Sequence, residues 1–290
     1  MYKSMKALWL VSFRPMGKSK INDLYQSMFV DSVDALNEDI CFSLTQFNEA
    51  NVKKFIKKKK INCFYKNFSK SKLPNGKKYS NKIMLEQALN QFIKKGDFTY
   101  LIFSTADIIV PSNLFEELSK INKKNFCGLV YPNTQVVNGK LKNTFWPYFG
   151  IDLIVFKMDK VKAKKFRKII NSYEQYDWGI IENFYISVCE LLDLKKINLF
   201  KKMNVVKFEN DFKSFSEDRS WQIKSWKLNQ KYFLRFLKKN NLSTLYAYGS
   251  YYYLLFKIFN FKDLNLSLFL SYLIFYPYNI VKKFFNYFKF

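Results

Sequence analysis

The chain has 290 residues, 49% of them hydrophobic and 20% aromatic; disorder over most of its length is excluded, because there is ample apolar surface to bury. Eight Gly and six Pro exclude collagen, and the absence of His removes Ser-His-Asp and Cys-His triads, histidine-ligated zinc and histidine-ligated haem. The net charge of +26, from 49 basic and 23 acidic residues, favours anionic neighbours such as membrane lipids or sugar nucleotides.

Only Arg14, Arg167, Arg219 and Arg235 among the basic residues are arginines. Bidentate reading of phosphates and bases favours Arg over Lys, so nucleic acid is not an expected partner. The four cysteines, Cys41, Cys63, Cys127 and Cys189, show no CxxC spacing and read as small buried hydrophobes in a reducing compartment.

In chain order, Ala7–Phe13 reads as a strand and Ile21–Leu36 as a helix with Leu24, Met28, Val33 and Leu36 at helical spacing. Asp39–Phe47 reads as a strand, Asn51–Lys60 as a very basic helix and Ile61–Phe68 as a third strand. Pro74-Asn75-Gly76 marks a loop. Lys82–Lys95 is a helix stopped by Gly96, and Tyr100–Phe103 is a fourth strand, apolar throughout as a strand covered on both faces should be. A helix follows at Ser112–Ile121, strands at Cys127–Tyr131 and Ile151–Phe156, and helices at Lys160–Ser172 and Trp178–Leu192. Lys196–Phe208 reads as a final passage from helix to strand, and Glu209–Ser220 as a linker. This alternation predicts an α/β fold with a mostly parallel sheet and helices on both faces.

The expected domains are residues 1–215 and a helical, aromatic and basic C-terminal region, 216–290. In the latter, Asn265–Val281 carries no charge and is flanked by Lys257, Lys262, Lys282, Lys283 and Lys289. That pattern suits a helical tail lying at the surface of a membrane; a packed helical hairpin and a short span are the alternatives. Near the N-terminus, Gly17-Lys18-Ser19 has the ending of a phosphate loop, but Ser12 stands where its upstream Gly is required, so a Walker site is rejected.

Ligands of parallel α/β sheets sit at the carboxyl ends of the strands. The fourth strand ends in Ser104-Thr105-Ala106-Asp107 before another apolar run and Pro111. A carboxylate there is costly unless cations or hydrogen-bond donors meet it, and a divalent metal carrying a diphosphate is one such partner. An Asx turn capping the next helix is the other reading. Asp177 and Glu182, in the segment Tyr173–Asn183, are carboxylates set beside the aromatic Trp178 and are candidates for a general base. An N-cap Asp is the structural alternative for Asp177, and Asp152 is either a ligand to a substrate hydroxyl or a strand-end cap.

Segment 100–118 resembles the region of the Asp-x-Asp motif in nucleotide-sugar-dependent glycosyltransferases of the GT-A fold. Three further segments agree in order and spacing. Leu8–Arg14 is similar to the first strand, whose end holds the nucleotide base; Tyr79–Lys82 is similar to the element that closes over ribose and diphosphate; Trp146–Phe156 is similar to the strand lining the sugar and acceptor side. The resemblance covers residues 6–215. It implies a GT-A-like, hexosyltransferase-like enzyme that moves a sugar from a nucleotide-sugar donor to a glycan or glycolipid acceptor. The implied setting is lipopolysaccharide or capsule synthesis in a bacterium, on the cytoplasmic face of the membrane. Donor-side residues implied by the resemblance are Ser12, Arg14, Asn81, Thr105, Asp107 and Asp152. Thr105 occupies the motif's first acidic position, so Asp107 alone carries over, with Glu209 and Asp211 as substitutes for the family's later ligand to Mn or Mg. The departure leaves two alternatives open: Lys or Arg neutralising the diphosphate in place of a metal, and a catalytically degenerate scaffold in a polysaccharide assembly complex. A nucleotidyltransferase on a related fold is a further alternative, for which Phe13–Lys18 imitates the basic first loop only in part.

Overall fold

Every strand of a seven-stranded sheet but one runs in the same direction. The computed structural model describes residues 6–69, 81–95, 97–130, 132–137, 139–143, 151–173, 181–199, 202–208 and 219–248. The chain divides into two compact units, Met1–Ser250 and Tyr251–Phe290. The second unit, with the uncharged run 265–281, lies outside the described residues, as do the loop 70–80 and most of the expected linker.

The elements follow in the order β1 (Ala7–Val11), α1 (Lys20–Asp34), β2 (Ile40–Gln46), α2 (Val52–Lys58), β3 (Cys63–Asn67), α3 (Asn81–Lys95), β4 (Tyr100–Ser104), β5 (Ile108–Ile109), α4 (Leu114–Ser119), β6 (Phe126–Val130), β7 (Pro132–Val137) and β8 (Lys140–Asn143). After these come β9 (Leu153–Lys157), α5 (Lys160–Ser172), α6 (Ile181–Leu191), β10 (Lys195–Asn198), β11 (Val205–Phe208), α7 (Arg219–Lys239) and a 3-10 turn at Thr244–Tyr248. The main sheet has the order β10-β6-β9-β4-β1-β2-β3, with β9 antiparallel to both of its neighbours. A smaller sheet has the order β5-β11-β7-β8.

The sequence alternates strand and helix because each strand must return through a crossover to lie parallel to the one before it. All five residues of β1 and of β6 are buried, as a sheet covered on both sides requires. On one face Trp9 meets Phe29 of α1 edge-on, with ring centroids 6.0 Å apart, and Phe13 meets Phe55 of α2 at 5.4 Å. On the other, Phe103 packs on Tyr185 of α6 at 4.8 Å and Phe156 on Phe166 of α5 at 5.5 Å.

Two local readings are corrected. The buried stripe of α1 is Tyr25, Phe29, Val30 and Val33; of the expected positions Val33 is buried and Leu36 packs against the core, whereas Leu24 is 55% exposed. Positions 24/28 and 25/29 share helical spacing, and the stack of Tyr25 on Phe208 (centroids 4.1 Å, planes 7° apart) belongs to the second pair. The stretch 196–208 is not a helix followed by a strand: it supplies β10 to the main sheet and β11 to the small one. The turn at Gly139, where φ is +72°, joins β7 and β8 as a hairpin.

The Gly-Lys-Ser triplet is a helix start. Gly17 adopts φ +83° and its N–H donates to the Asp23 carboxylate at 2.9 Å, while Ser19 is the N-cap of α1. Asp159 caps α5 by accepting from the Lys162 N–H at 2.9 Å. Asp159→Ala is therefore expected to lose about 1 kcal/mol of stability in denaturant unfolding. Beyond residue 215, α7 packs on the α/β body: Phe236 lies 5.3 Å from Phe184 of α6 and 5.1 Å from Tyr173, centroid to centroid. Asn183 Nδ2 also donates to the Tyr246 carbonyl at 2.7 Å.

Candidate functional site

Strand β4 lies between β1 and β9, in the middle of the main sheet. Its antiparallel pairing with β9 sets Ser104 opposite Leu153, which brings Asp152 beside Thr105; the Thr105 N–H donates to the Asp152 carbonyl at 3.3 Å. Past Thr105 the chain continues into β5, which pairs with β11 so that Ile108 faces Lys207. The Phe208 N–H donates to the Asp107 carbonyl at 2.9 Å and locks that register. The loop after β1 adds Arg14. Four segments distant in sequence thus converge at the carboxyl ends of β1 and β4, where an α/β sheet places its ligands.

Four charged side chains meet there. Lys207 Nζ donates to Asp107 Oδ1 at 2.7 Å, to Asp152 Oδ1 at 2.8 Å and to Thr105 Oγ1 at 3.2 Å. Thr105 donates its hydroxyl to Asp152 Oδ1 at 3.3 Å, and Arg14 Nη2 reaches Asp107 Oδ2, also at 3.3 Å. Asp107, Asp152 and Lys207 are buried, whereas the Arg14 side chain is 27% exposed and Thr105 is exposed. Solvent therefore reaches the cluster through Arg14 and Thr105. Asp152 Oδ2 is buried with no hydrogen-bond partner among the described residues.

The environment splits the two carboxyls. Burial acts to raise Asp107, but the charges of Lys207 and Arg14 outweigh it and hold this carboxyl below its ordinary range. Burial dominates at Asp152 and pushes it up, only partly offset by Lys207, with the Asp107 charge adding to the rise. Burial disfavours the Lys207 ammonium, yet its two carboxylate partners raise its pKa, so the side chain stays charged.

Of the residues expected on the donor side, Arg14, Thr105, Asp107 and Asp152 come together in this cluster. Ser12 lies just past the end of β1, its hydroxyl 3.3 Å from the side-chain amide of Gln46. Asn81 is the first residue of α3, and Lys82 beside it donates to the Tyr173 carbonyl. Glu182 lies in the first turn of α6. The Glu182 side chain, Asp177, Glu209 and Asp211 lie outside the described residues.

Sequence reasoning missed Lys207 as a member of the site. The signal was present in Val205-Val206-Lys207-Phe208, where a lysine shares the alternation of a buried strand. Nothing local, however, names its partners, which lie 100 and 55 residues away.

Carboxylate oxygens bind divalent ions at about 2.0–2.6 Å. Here the inner oxygens of Asp107 and Asp152 already face an ammonium, and the outer oxygen of Asp107 faces a guanidinium. No group of three or more His, Cys, Asp or Glu among the described residues is placed to hold a metal ion. The cluster as formed does not fit a divalent cation.

No family model matches the chain, and no curated protein matches it in sequence. Among solved structures it is similar to residues 1–349 of TarS from S. aureus, a structure in complex with UDP-GlcNAc. That likeness has a TM-score of 0.54 and 8% identity, covering 84% of this chain and 69% of the other. The chain is also similar to 4-diphosphocytidyl-2C-methyl-D-erythritol synthase from Anaerococcus prevotii, with a TM-score of 0.42, 12% identity, and 67% and 89% of the two chains covered. A glycosyltransferase involved in the glycosylation of the major capsid of PBCV-1 has a TM-score of 0.38 and 10% identity, with 71% and 94% covered. The fold is GT-A-like, with its mostly parallel central sheet and helices on both faces.

Proposed function

We propose that this chain is a glycosyltransferase that transfers a sugar from a nucleotide-sugar donor to a glycan or glycolipid acceptor. The observation that carries the reading is the buried Arg14–Asp107–Lys207–Asp152 cluster at the carboxyl end of β4, on a GT-A-like fold. Buried charges on this scale are costly and concentrate at functional sites. In this reading Arg14 and Thr105 present the solvent-reachable side of the cluster to the donor. Asp107 holds Arg14 in place, and Ser12 and Asn81 contribute to nucleotide binding. For an inverting transfer Asp177 or Glu182 removes the acceptor hydroxyl's proton as the nucleoside diphosphate leaves.

Two features favour an acceptor at an anionic membrane surface, as in assembly of a bacterial lipopolysaccharide or capsule from the cytoplasmic side. The first is the net charge of +26. The second is the exposed lysines of two helices that cover opposite faces of the main sheet, α2 (Lys53, Lys54, Lys57, Lys58) and α5 (Lys160, Lys164, Lys165, Lys168), each a separate basic surface. The association proposed is peripheral; no helix among the described residues is long and apolar enough to cross a membrane.

The test is slow hydrolysis of UDP- and GDP-sugars in the absence of acceptor. Wild-type protein is expected to release the nucleoside diphosphate, and Asp107→Ala to do so about a hundredfold more slowly. Unchanged turnover in the variant would remove Asp107 from the donor site. Absence of both turnover and nucleotide-sugar binding in the wild type would favour a non-catalytic scaffold.

A further inference from the structure

Lys207 stands in a strand whose other members are Val205, Val206 and Phe208, and it is 4% exposed. An ammonium persists in such a place only where opposite charge and hydrogen bonds replace water. Both are supplied: Asp107 approaches from the loop after β4, Asp152 from the residue before β9, and the Thr105 hydroxyl adds a third acceptor. Three elements of two different sheets are therefore built around this one nitrogen.

We propose that Lys207 is the resident cation of the site, holding between Asp107 and Asp152 the place a divalent ion takes in an Asp-x-Asp site, so that a nucleoside diphosphate binds here without metal. The proposal rests on the donor-binding reading above and specifies how that site is charged. A divalent ion seated on the inner carboxylate oxygens would share them with an ammonium already 2.7 and 2.8 Å away, and like charges at that range repel strongly in a buried site. The outer oxygen of Asp107 is turned to Arg14. A tethered cation is present at full occupancy whatever the metal concentration, and it pre-orients Asp107 so that the partly exposed Arg14 guanidinium meets the ligand.

The experiment uses the full chain with UDP and GDP as probes. Calorimetric titration is performed in EDTA and again with Mn2+, and uptake of Mn2+ by the protein alone is followed from the free-ion electron paramagnetic resonance signal. Expected are dissociation constants that agree within about threefold between the two buffers, and no Mn2+ uptake that depends on Asp107. If a metal in this site bridges to the nucleotide, each must tighten the other by the same factor. A gain of about tenfold or more with Mn2+, lost in Asp107→Asn or Asp152→Asn, would therefore overturn the proposal. Failure of UDP and GDP to bind in either buffer counts against the donor-binding reading instead. The Mn2+ titration then decides alone: uptake abolished by Asp107→Asn or Asp152→Asn overturns the assignment of Lys207, and no uptake, or uptake indifferent to both, upholds it.

Discussion

Lys207→Met is expected to unfold with a loss of about 3–5 kcal/mol at neutral pH, because removing one member of a buried ion cluster leaves the others uncompensated. Methionine replaces the aliphatic stem at similar length, so little of the loss comes from packing. Among the described residues, what remains is Asp152, buried and without a cation, and Asp107, buried and left with the partly exposed Arg14 alone. Two carboxyls in that position favour protonation, which raises their folded values above the unfolded value of about 3.9. A group with a raised folded value makes the fold more stable as pH falls through that value. The variant should therefore recover stability between neutral pH and about pH 5, an effect read by denaturant unfolding at several pH values. Adding Asp152→Asn to Lys207→Met should return part of the loss at neutral pH, as the double-mutant cycle makes explicit. A loss of less than about 1 kcal/mol at neutral pH, the range of an exposed pair, would mean that the ammonium is not seated between the carboxylates.

Asp107→Asn should lose about 3 kcal/mol, and Asp152→Asn less than half of that. The two residues share Lys207 but not their surroundings. Asp107 also faces Arg14 and is held below its ordinary range by the two cations, whereas burial keeps Asp152 above it. The signs follow separately. For Asp107, with a depressed folded value, the contribution is present above about pH 3.8 and is lost as pH falls through the folded value below that. For Asp152, with a raised folded value, the unfavourable contribution is present above that value and disappears as the group protonates. Wild-type protein should thus carry an acid limb set by Asp107, and Asp107→Asn should lack that limb. A wild-type profile that keeps its acid limb in Asp107→Asn and loses it in Asp152→Asn would invert the assignment.

Much of the architecture is written locally. The predicted strands fall within a residue or two of β1, β2, β3, β4, β6 and β9, and the helix expected over Lys160–Ser172 is α5 at the same residues. Uniform apolar runs bounded by turn residues, and helical spacing closed by Gly or by capping residues, are signals each segment carries alone. The direction of β9 is not such a signal. Leu153–Lys157 reads the same whether it pairs parallel or antiparallel, and only the place left between β4 and β6 decides it. Likewise β5 is two residues long and exists because β11 pairs with it.

The same division runs through the site. Asp107 could be suspected from sequence alone, because a carboxylate between the apolar runs of β4 and β5 needs a partner. Arg14, Thr105 and Asp152 could be placed at strand ends by counting. That a cation meets Asp107 and Asp152 at one nitrogen, and that it is Lys207, was decided by the register of β11 on β5 and of β9 on β4. Periodicity along the chain reports which side of an element is covered. Which distant charges share a buried point depends on strand order and register, and these emerge only when the sheets are assembled.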